Sequence, residues 1–415
     1  MSDNKESYSR RDFIRTAGAA GLGSVLAPFG VLNAAHGTTS TAPPPGAMVV
    51  PTRPIGKTNV KVSILSLGGV LGMSDQLMFR QALKMGVTYW DTADSYGLGK
   101  NEKAIGKYFA RFPDDRKKVF LVTKTATANP EKLTDKLNSS LQKMNTSYVD
   151  LYFIHHVGNV EKKLTTDVRA WAEKAKTEGK IKFFGFSAHK NMEANMLAAA
   201  GLGWIDGIMM SYNYRLMQKD EMKRAMDACV RAGIGLTAMK TQAAFSANFY
   251  ASIGKESDDA VTMIEGFLSK GYTPEQAKLK VVWDNPHIAS ICSAMPNMTI
   301  LQANVAAALN RENLSQGDKQ RLGQYAQLTA PGYCAGCANI CESAANHAVP
   351  ISDIMRYLMY DRTYGKPALT AGYFRKIQPD VRRRIAHTDF SKAEQRCPQR
   401  MPIAQLMQEA SERFA

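Results

Sequence analysis

A chain of 415 residues can bury a large core, and its 45% apolar and 22% charged residues exclude both a disordered polymer and a polytopic membrane protein. Lysine and arginine number 53 against 37 aspartates and glutamates, a formal net charge of +16, yet the basic residues are scattered. The densest run is Arg382-Arg383-Arg384, without the aromatic interleaving that single-stranded nucleic acid binding uses, so no nucleic-acid partner is expected.

In chain order, the first segment is not part of a fold. Ser9-Arg10-Arg11-Asp12-Phe13-Ile14-Arg15 is followed by a Gly/Ala-rich stretch from Thr16 to Leu32 and by the small residues Ala34 and Ala35. Residues 1–35 therefore read as a twin-arginine signal, which implies the twin-arginine (Tat) export machinery as a partner and a periplasmic or other extracytoplasmic location. An ordinary amphipathic helix is the alternative. The stretch is too short and glycine-rich for a stable membrane span. Residues 36–50, with Pro43-Pro44-Pro45, have the composition of a linker, and the folded domain is expected from Pro51.

From Val62 onward short β-branched or apolar runs alternate with amphipathic stretches, the rhythm of parallel strands covered by helices. Eight strands are predicted: Ser63–Gly69, Thr88–Thr92, Val119–Lys124, Tyr148–Ile154, Phe183–Ser187, Gly207–Ser211, Gly235–Met239 and Ile288–Ser293. Helices are predicted at Gln76–Met85, Glu102–Phe112, Pro130–Lys143, Asp220–Arg231 and Thr299–Ala308, among others. An open doubly wound sheet shares this rhythm, but no glycine-rich dinucleotide turn follows the first strand; Leu67-Gly68-Gly69-Val70-Leu71-Gly72 is a weak substitute. The expectation is an α/β (β/α)8 TIM barrel over residues 51–325 with a small, mostly helical cysteine-containing module over 326–415.

Barrels of this kind place working side chains at the C-terminal ends of strands. Asp91 closes the second predicted strand, Tyr96 follows five residues later, Lys124 closes the third strand and His155 the fourth. Each has a structural reading when taken alone: a helix cap, a packing ring, a solvated strand end, a satisfied core histidine. Together they form a proton-donor constellation. A tyrosine hydroxyl can protonate a carbonyl oxygen if an ammonium lowers its pKa, a carboxylate can hold that ammonium, and an imidazole can orient the oxygen.

Here the chain resembles the aldo-keto reductase family, from Thr52 to Ala308, through Gly86-Val87-Thr88-Tyr89-Trp90-Asp91-Thr92-Ala93-Asp94-Ser95-Tyr96-Gly97, Glu102 to Gly106, Leu121-Val122-Thr123-Lys124 and Asp150-Leu151-Tyr152-Phe153-Ile154-His155. The resemblance implies a catalytic tetrad of Asp91, Tyr96, Lys124 and His155, an NAD(P)(H) cofactor and a small carbonyl or alcohol substrate. It also implies cofactor contacts at Ser187, within Gly185-Phe186-Ser187, at Tyr212 as the ring-stacking residue, and at Asn304. The family's amide clamp departs here: Ala188 and Met209 stand where Asn and Gln are usual, and no Lys or Arg occurs between Ile291 and Asn310 to meet a 2'-phosphate. Residues Thr241 to Tyr272 are expected to form a lid or pocket wall.

Cys229 and Cys292 read as small buried residues of the barrel. Cys334, Cys337, Cys341 and Cys397, the last followed by Pro398, resemble the ferredoxin-like tail of some bacterial aldo-keto reductases, which implies four thiolates on a 4Fe-4S cluster and a redox partner. The third gap is one residue longer than usual, and 56 positions separate Cys341 from Cys397. Zinc, two disulfides, and a helix face at i, i+3, i+7 are the alternatives. At the level of function, three classes stand side by side: a nicotinamide-dependent oxidoreductase, an electron-transfer iron-sulfur protein on a barrel scaffold, and a binding barrel without catalysis.

Overall fold

The computed structural model describes residues 49–70, 75–242, 267, 271–365 and 367–414. Residues 1–35 of the expected signal, most of the expected linker, and most of the Thr241–Tyr272 stretch lie outside the described residues.

Eight parallel strands close into a barrel in the order β10-β3-β4-β5-β6-β7-β8-β9. They are β3 (Leu65–Gly68), β4 (Tyr89–Asp91), β5 (Phe120–Thr125), β6 (Val149–Ile154), β7 (Ile181–Ala188), β8 (Gly207–Ser211), β9 (Gly235–Met239) and β10 (Ile288–Ala294). The first predicted strand divides in two: Lys61–Ser63 becomes β2, paired antiparallel with β1 (Thr52–Pro54), before β3 enters the barrel. Ile55 and Val62 of this hairpin pack with the barrel interior, joining Tyr89, Phe120, Val122, Leu151, Phe153, Met209, Met239 and Ala289. Leucine, isoleucine and tryptophan side chains at alternate positions point outward and pack under the helices, because successive strand side chains face opposite sides.

That alternation selects what reaches the mouth. Following the inward set along each strand brings Asp91, Lys124, His155, Ser187, Ser211, Met239 and Cys292 to the C-terminal rim, while Trp90, Thr123, Ile154, Phe186 and Met210 face the helical layer.

The predicted helices form, with small shifts at their ends: Gln76–Lys84, Lys100–Arg111, Pro130–Lys143, Asp220–Arg231 and Met298–Leu309. Helix Gln316–Leu328 also belongs to the barrel layer, since Leu322 and Tyr325 lie in its core. A second hydrophobic core begins at Cys341 and gathers Ile354, Leu358, Phe374, Leu406, Met407 and Phe414 from the helices Ile351–Tyr364, Pro367–Arg375 and Ile403–Phe414. Arg362 pairs with Glu409 and Arg413 with Asp361, tying the first of these helices to the last. No helix among the described residues is long and apolar enough to cross a membrane.

The C-terminal module sits on the barrel mouth. Gly336 packs so closely on the end of β7 that a Cβ there would lie 2.5 Å from the His189 carbonyl oxygen, at a left-handed φ of +80°. Its carbonyl accepts from the Asn191 backbone N–H (2.7 Å), and Lys190 pairs with Asp353 at 2.9 Å.

Candidate active site

The Lys124 ammonium donates to Asp91 Oδ1 at 2.5 Å and to the Thr92 carbonyl at 2.8 Å, and both side chains are buried. Burial pushes the Asp91 carboxyl above the usual carboxylate range while Lys124 and the Cys292 thiol pull it down. The pair is therefore held by a short charge-assisted hydrogen bond in a dry layer, where loss of either partner would strand the other.

Tyr96 lies above this pair on a turn, Tyr96–Gly99, in which Gly97, Leu98 and Gly99 all have left-handed φ values of 57°, 57° and 82°. A leucine in that region is costly, so the turn is held by its surroundings rather than by local preference. The Lys124 ammonium is 5.0 Å from the Tyr96 ring centroid, and the ring meets that of His155 edge-on at 5.7 Å. Asp91, Tyr96, Lys124 and His155 thus share one face of the rim, as expected.

One electrostatic expectation is corrected. Burial and then the Asp91 charge drive the Tyr96 hydroxyl well above its ordinary value rather than below it. The reason is that the Lys124 ammonium is committed to Asp91 and Thr92. Tyr96 is held protonated here, as a donor must be before it gives up its proton.

His155 stacks on His156, with ring centroids 3.6 Å apart, and His156 lies 4.7 Å from His189. All three imidazoles are kept neutral, their pKa values pressed well below 6.5, first by burial and then by neighbouring positive groups. His156 Nδ1 accepts from Arg356 Nη1 at 3.3 Å, since a guanidinium can only donate. Arg356 belongs to helix Ile351–Tyr364, so the module reaches the histidine that stacks on His155 of the tetrad.

The expected cofactor contacts divide. Ser187 faces inward beside Met209, and its hydroxyl accepts from the His156 backbone N–H at 3.3 Å. Tyr212 does not reach the mouth. It follows Ser211 by one position, so its ring points out under the helices, where the hydroxyl accepts from Asn285 Nδ2 at 2.9 Å; the stacking role is not available to it. Met239, inward at the end of β9, is the side chain at that depth. Asn304 is buried and donates to Ser293 Oγ at 3.0 Å beside a cleft lined by Lys240, Thr241, Gln242 and Ile291–Ala294, with the Thr241 hydroxyl buried and without a partner among the described residues.

Cys334, Cys337, Cys341 and Cys397 line a single cavity with Met355 and Pro398. All six cysteines are free thiols. The helical-face alternative fails, because Cys334 and Cys337 precede helix Ala338–Ala344 and only Cys341 lies within it.

The sequence reading missed Cys292, which reaches Asp91 rather than filling the core, and it missed Lys240, His189 and Arg356. Counting by twos from Ala289 leads to Ile291 and Ser293, and only the register shift between Ile288 and Ser290 turns Cys292 inward, so alternation alone could not have found it. Arg356 carries no sequence signal, because only docking of the module brings it to the rim.

Comparison with known proteins follows the same outline. The family model described as "Aldo/keto reductase family" matches residues 74–285. The NADP(+) aldo-keto reductase yakc of Schizosaccharomyces pombe is 29% identical over 162 residues, 34% of this chain and 46% of that protein. The L-galactose dehydrogenase of Arabidopsis thaliana is 21% identical over 303 residues, 67% of this chain and 94% of its own. This chain spans about half to two thirds of the length of the first curated relatives it matches, 46%, 64% and 48%. The holo form of aldo-keto reductase AKR11C1 from Bacillus halodurans superposes with a TM-score of 0.55 at 19% identity, covering 69% of this chain and 98% of that one, a likeness of fold. Closed parallel barrel and family match together show that this chain belongs to the aldo/keto reductase family.

Proposed function

We propose that this chain is an exported carbonyl reductase or alcohol dehydrogenase whose own residues hold the proton at the carbonyl oxygen, and whose C-terminal module carries an iron-sulfur cluster. The observation that carries the first part is the buried Lys124–Asp91 pair beneath Tyr96, with His155 edge-on to the same ring.

When bound, a nicotinamide nucleotide supplies the hydride to the carbonyl carbon. Residues present fit such a group: Ser187 and Met239 at the rim, and the cleft between the ends of β9 and β10, where Thr241 leaves a buried hydroxyl without a partner among the described residues. Tyr96 donates its proton to the carbonyl oxygen as charge develops there. Lys124 then stabilises the phenolate, and Asp91 fixes the ammonium for that task. Neutral His155 donates a hydrogen bond that orients the oxygen, kept unprotonated first by burial and then by His156, Lys124 and Arg356.

The four thiols fit a cluster better than a single zinc. Tetrahedral zinc at about 2.3 Å from each sulfur draws thiolates to roughly 3.8 Å of one another. Cys334, Cys337, Cys341 and Cys397 line one cavity, and the Cys397-Pro398 ending follows the ferredoxin-like pattern rather than a zinc motif. A cuboidal cluster spreads its thiolates, because each binds a different iron. It would exchange single electrons with an external redox partner. Residues 1–35 as a twin-arginine signal and residues 326–415 as the cluster module complete the reading, with the periplasm as the compartment. Export disfavours a freely exchanging nucleotide, which supports one retained through turnover.

Denaturing the purified protein and assaying the supernatant for nucleotide tests the reductase reading. Release of NAD(P)(H), and a fall of about 10²–10⁴-fold in carbonyl turnover for Tyr96→Phe, are expected. Absence of nucleotide, with Tyr96→Phe as active as the parent, would leave electron transfer through the cluster as the better reading.

A further inference from the structure

Between the barrel rim and helix Ile351–Tyr364 lies a small cavity lined by His189, Ser211, Lys240, Cys334 and Arg356, among others. Its polar groups are conspicuously unsatisfied. The Ser211 hydroxyl, Arg356 Nε and His189 Nδ1 are all buried without a hydrogen-bond partner among the described residues, Ser211 being 3% exposed and the Arg356 side chain 10%. Buried polar atoms without partners are costly, so three around one cavity point to a ligand that completes them.

The charge around the cavity says which kind. Asp353 is shared by Arg356 (2.7 Å) and Lys190 (2.9 Å), which leaves Lys240 with no carboxylate partner among the described residues. Lys240 Nζ rests 5.6 Å from the Tyr360 ring centroid, and the residue takes a left-handed φ of 55° that lysine rarely adopts. Burial and the Arg356 charge pull its ammonium down to about 7, the mark of a cation without its counter-ion. His155, His156 and His189 could be read as a metal site. Arg356, Lys240 and Lys124 crowd them with positive charge, which works against a bound cation. Even with Cys334 on the wall as a thiolate of the proposed cluster, Lys240, Arg356 and Lys190 set against Asp353 leave the field around the cavity positive, and an anion fits it.

We propose that this cavity is an oxyanion subsite, in which Lys240 and Arg356, aided by Ser211 and His189, bind a carboxylate or phosphate group carried by the carbonyl substrate. The inference rests on the carbonyl-reductase reading for its substrate, and it deepens that reading by naming the substrate class. Geometry joins the two sites: the His189 ring lies 6.2 Å from that of His155, so a short anionic aldehyde can set its carbonyl at the tetrad and its charged end against the module. A planar guanidinium with a free Nε edge suits a carboxylate, and Lys240 supplies the point charge.

Two measurements on the full chain test this. The first compares kcat/KM for succinic semialdehyde and for butanal, of equal chain length without the charge; the second titrates oxalate and, separately, inorganic phosphate into the protein by calorimetry. The anionic aldehyde is expected to be favoured by at least about tenfold, a ratio that Lys240→Met and Arg356→Met bring close to one, with Arg356→Lys retaining part of it. Oxalate or phosphate binding is expected to weaken by at least about tenfold in the same two variants, each checked for native circular dichroism and for the parent's nucleotide content, since Lys240 also lines the cleft given to the nucleotide. A ratio near one in the parent, or one unmoved in both variants, overturns the proposal. So does free-ion binding that both variants leave intact. Should neither aldehyde be turned over, the reductase reading fails by itself and the titrations alone decide the subsite: binding lost in the variants upholds it, and binding retained in them overturns it.

Discussion

Lys124 and Asp91 carry opposite charges in a layer that excludes water, and their energetics follow from that isolation. Removing the ammonium leaves a buried carboxylate uncompensated, which costs about 3–5 kcal/mol. Lys124→Met is therefore expected to lower the urea midpoint markedly as well as abolish turnover, whereas Asp91→Asn keeps the shape and loses mainly the hold on Lys124; urea titration of both variants checks this order. The histidines give the pH dependence. Folded His155, His156 and His189 all have pKa values depressed below 6.5, with burial as the first cause. The unfolded chain takes up protons near pH 6.5 that the folded chain refuses, so the stability from their neutral state is complete above that pH. It is lost as pH falls from about 6.5 toward the lowered folded values, by up to about 1.4 kcal/mol per pH unit for each histidine. Urea midpoints should be lower at about pH 5 than at about pH 7.5, and equal midpoints would contradict the buried neutral stack.

Helix Ile351–Tyr364 has two jobs that its residues divide. Ile354 and Leu358 bury themselves in the second core, and Asp353 and Arg356 face the rim, where they reach Lys190 and His156. Its position depends on helix Ile403–Phe414, whose Leu406 and Met407 are fully packed against the same core. Leu406→Ala is expected to cost about 2–5 kcal/mol in the module. If the module unfolds independently, limited proteolysis of this variant should cut within residues 338–414 before the barrel is attacked. Helix Pro274–Trp283 begins with a capping box, Thr273 accepting from Gln276 N–H and Gln276 accepting from Thr273 N–H. Thr273→Ala should cost about 1 kcal/mol and lower the melting temperature by a few degrees.

At the scale of the molecule, the barrel and the module complete each other's chemistry. The module's cysteines sit above β7, and its Arg356 touches the histidine stack, so the proposed cluster lies next to the tetrad rather than on a separate lobe. Cys337→Ser is expected to remove bound iron and the visible absorption of the purified protein, measured by metal analysis and spectroscopy on the same sample. Stoichiometric zinc with no iron in the parent would instead require thiolates that close on a single ion.

The strand rhythm and the endpoints Asp91, Lys124 and His155 were legible in the sequence because a strand's period of two is local: counting by twos from Tyr89 to Asp91, or from Phe120 to Lys124, fixes which side chains enter the barrel. The same count places Tyr212 outside it, where likeness to a motif alone had put it at the mouth. Tyr96's acidity was not legible. It depends on where Lys124 spends its hydrogen bonds, and those go to Asp91 and Thr92. Nor could the chain's order show that Arg356, 200 residues after His156, would donate to it, or that Lys240 would be left facing a cavity. Local patterning of apolar residues determines the elements and their faces. Long-range docking of the module, driven by burial of its apolar core and charge pairing at the rim, decides which charges meet across the barrel mouth.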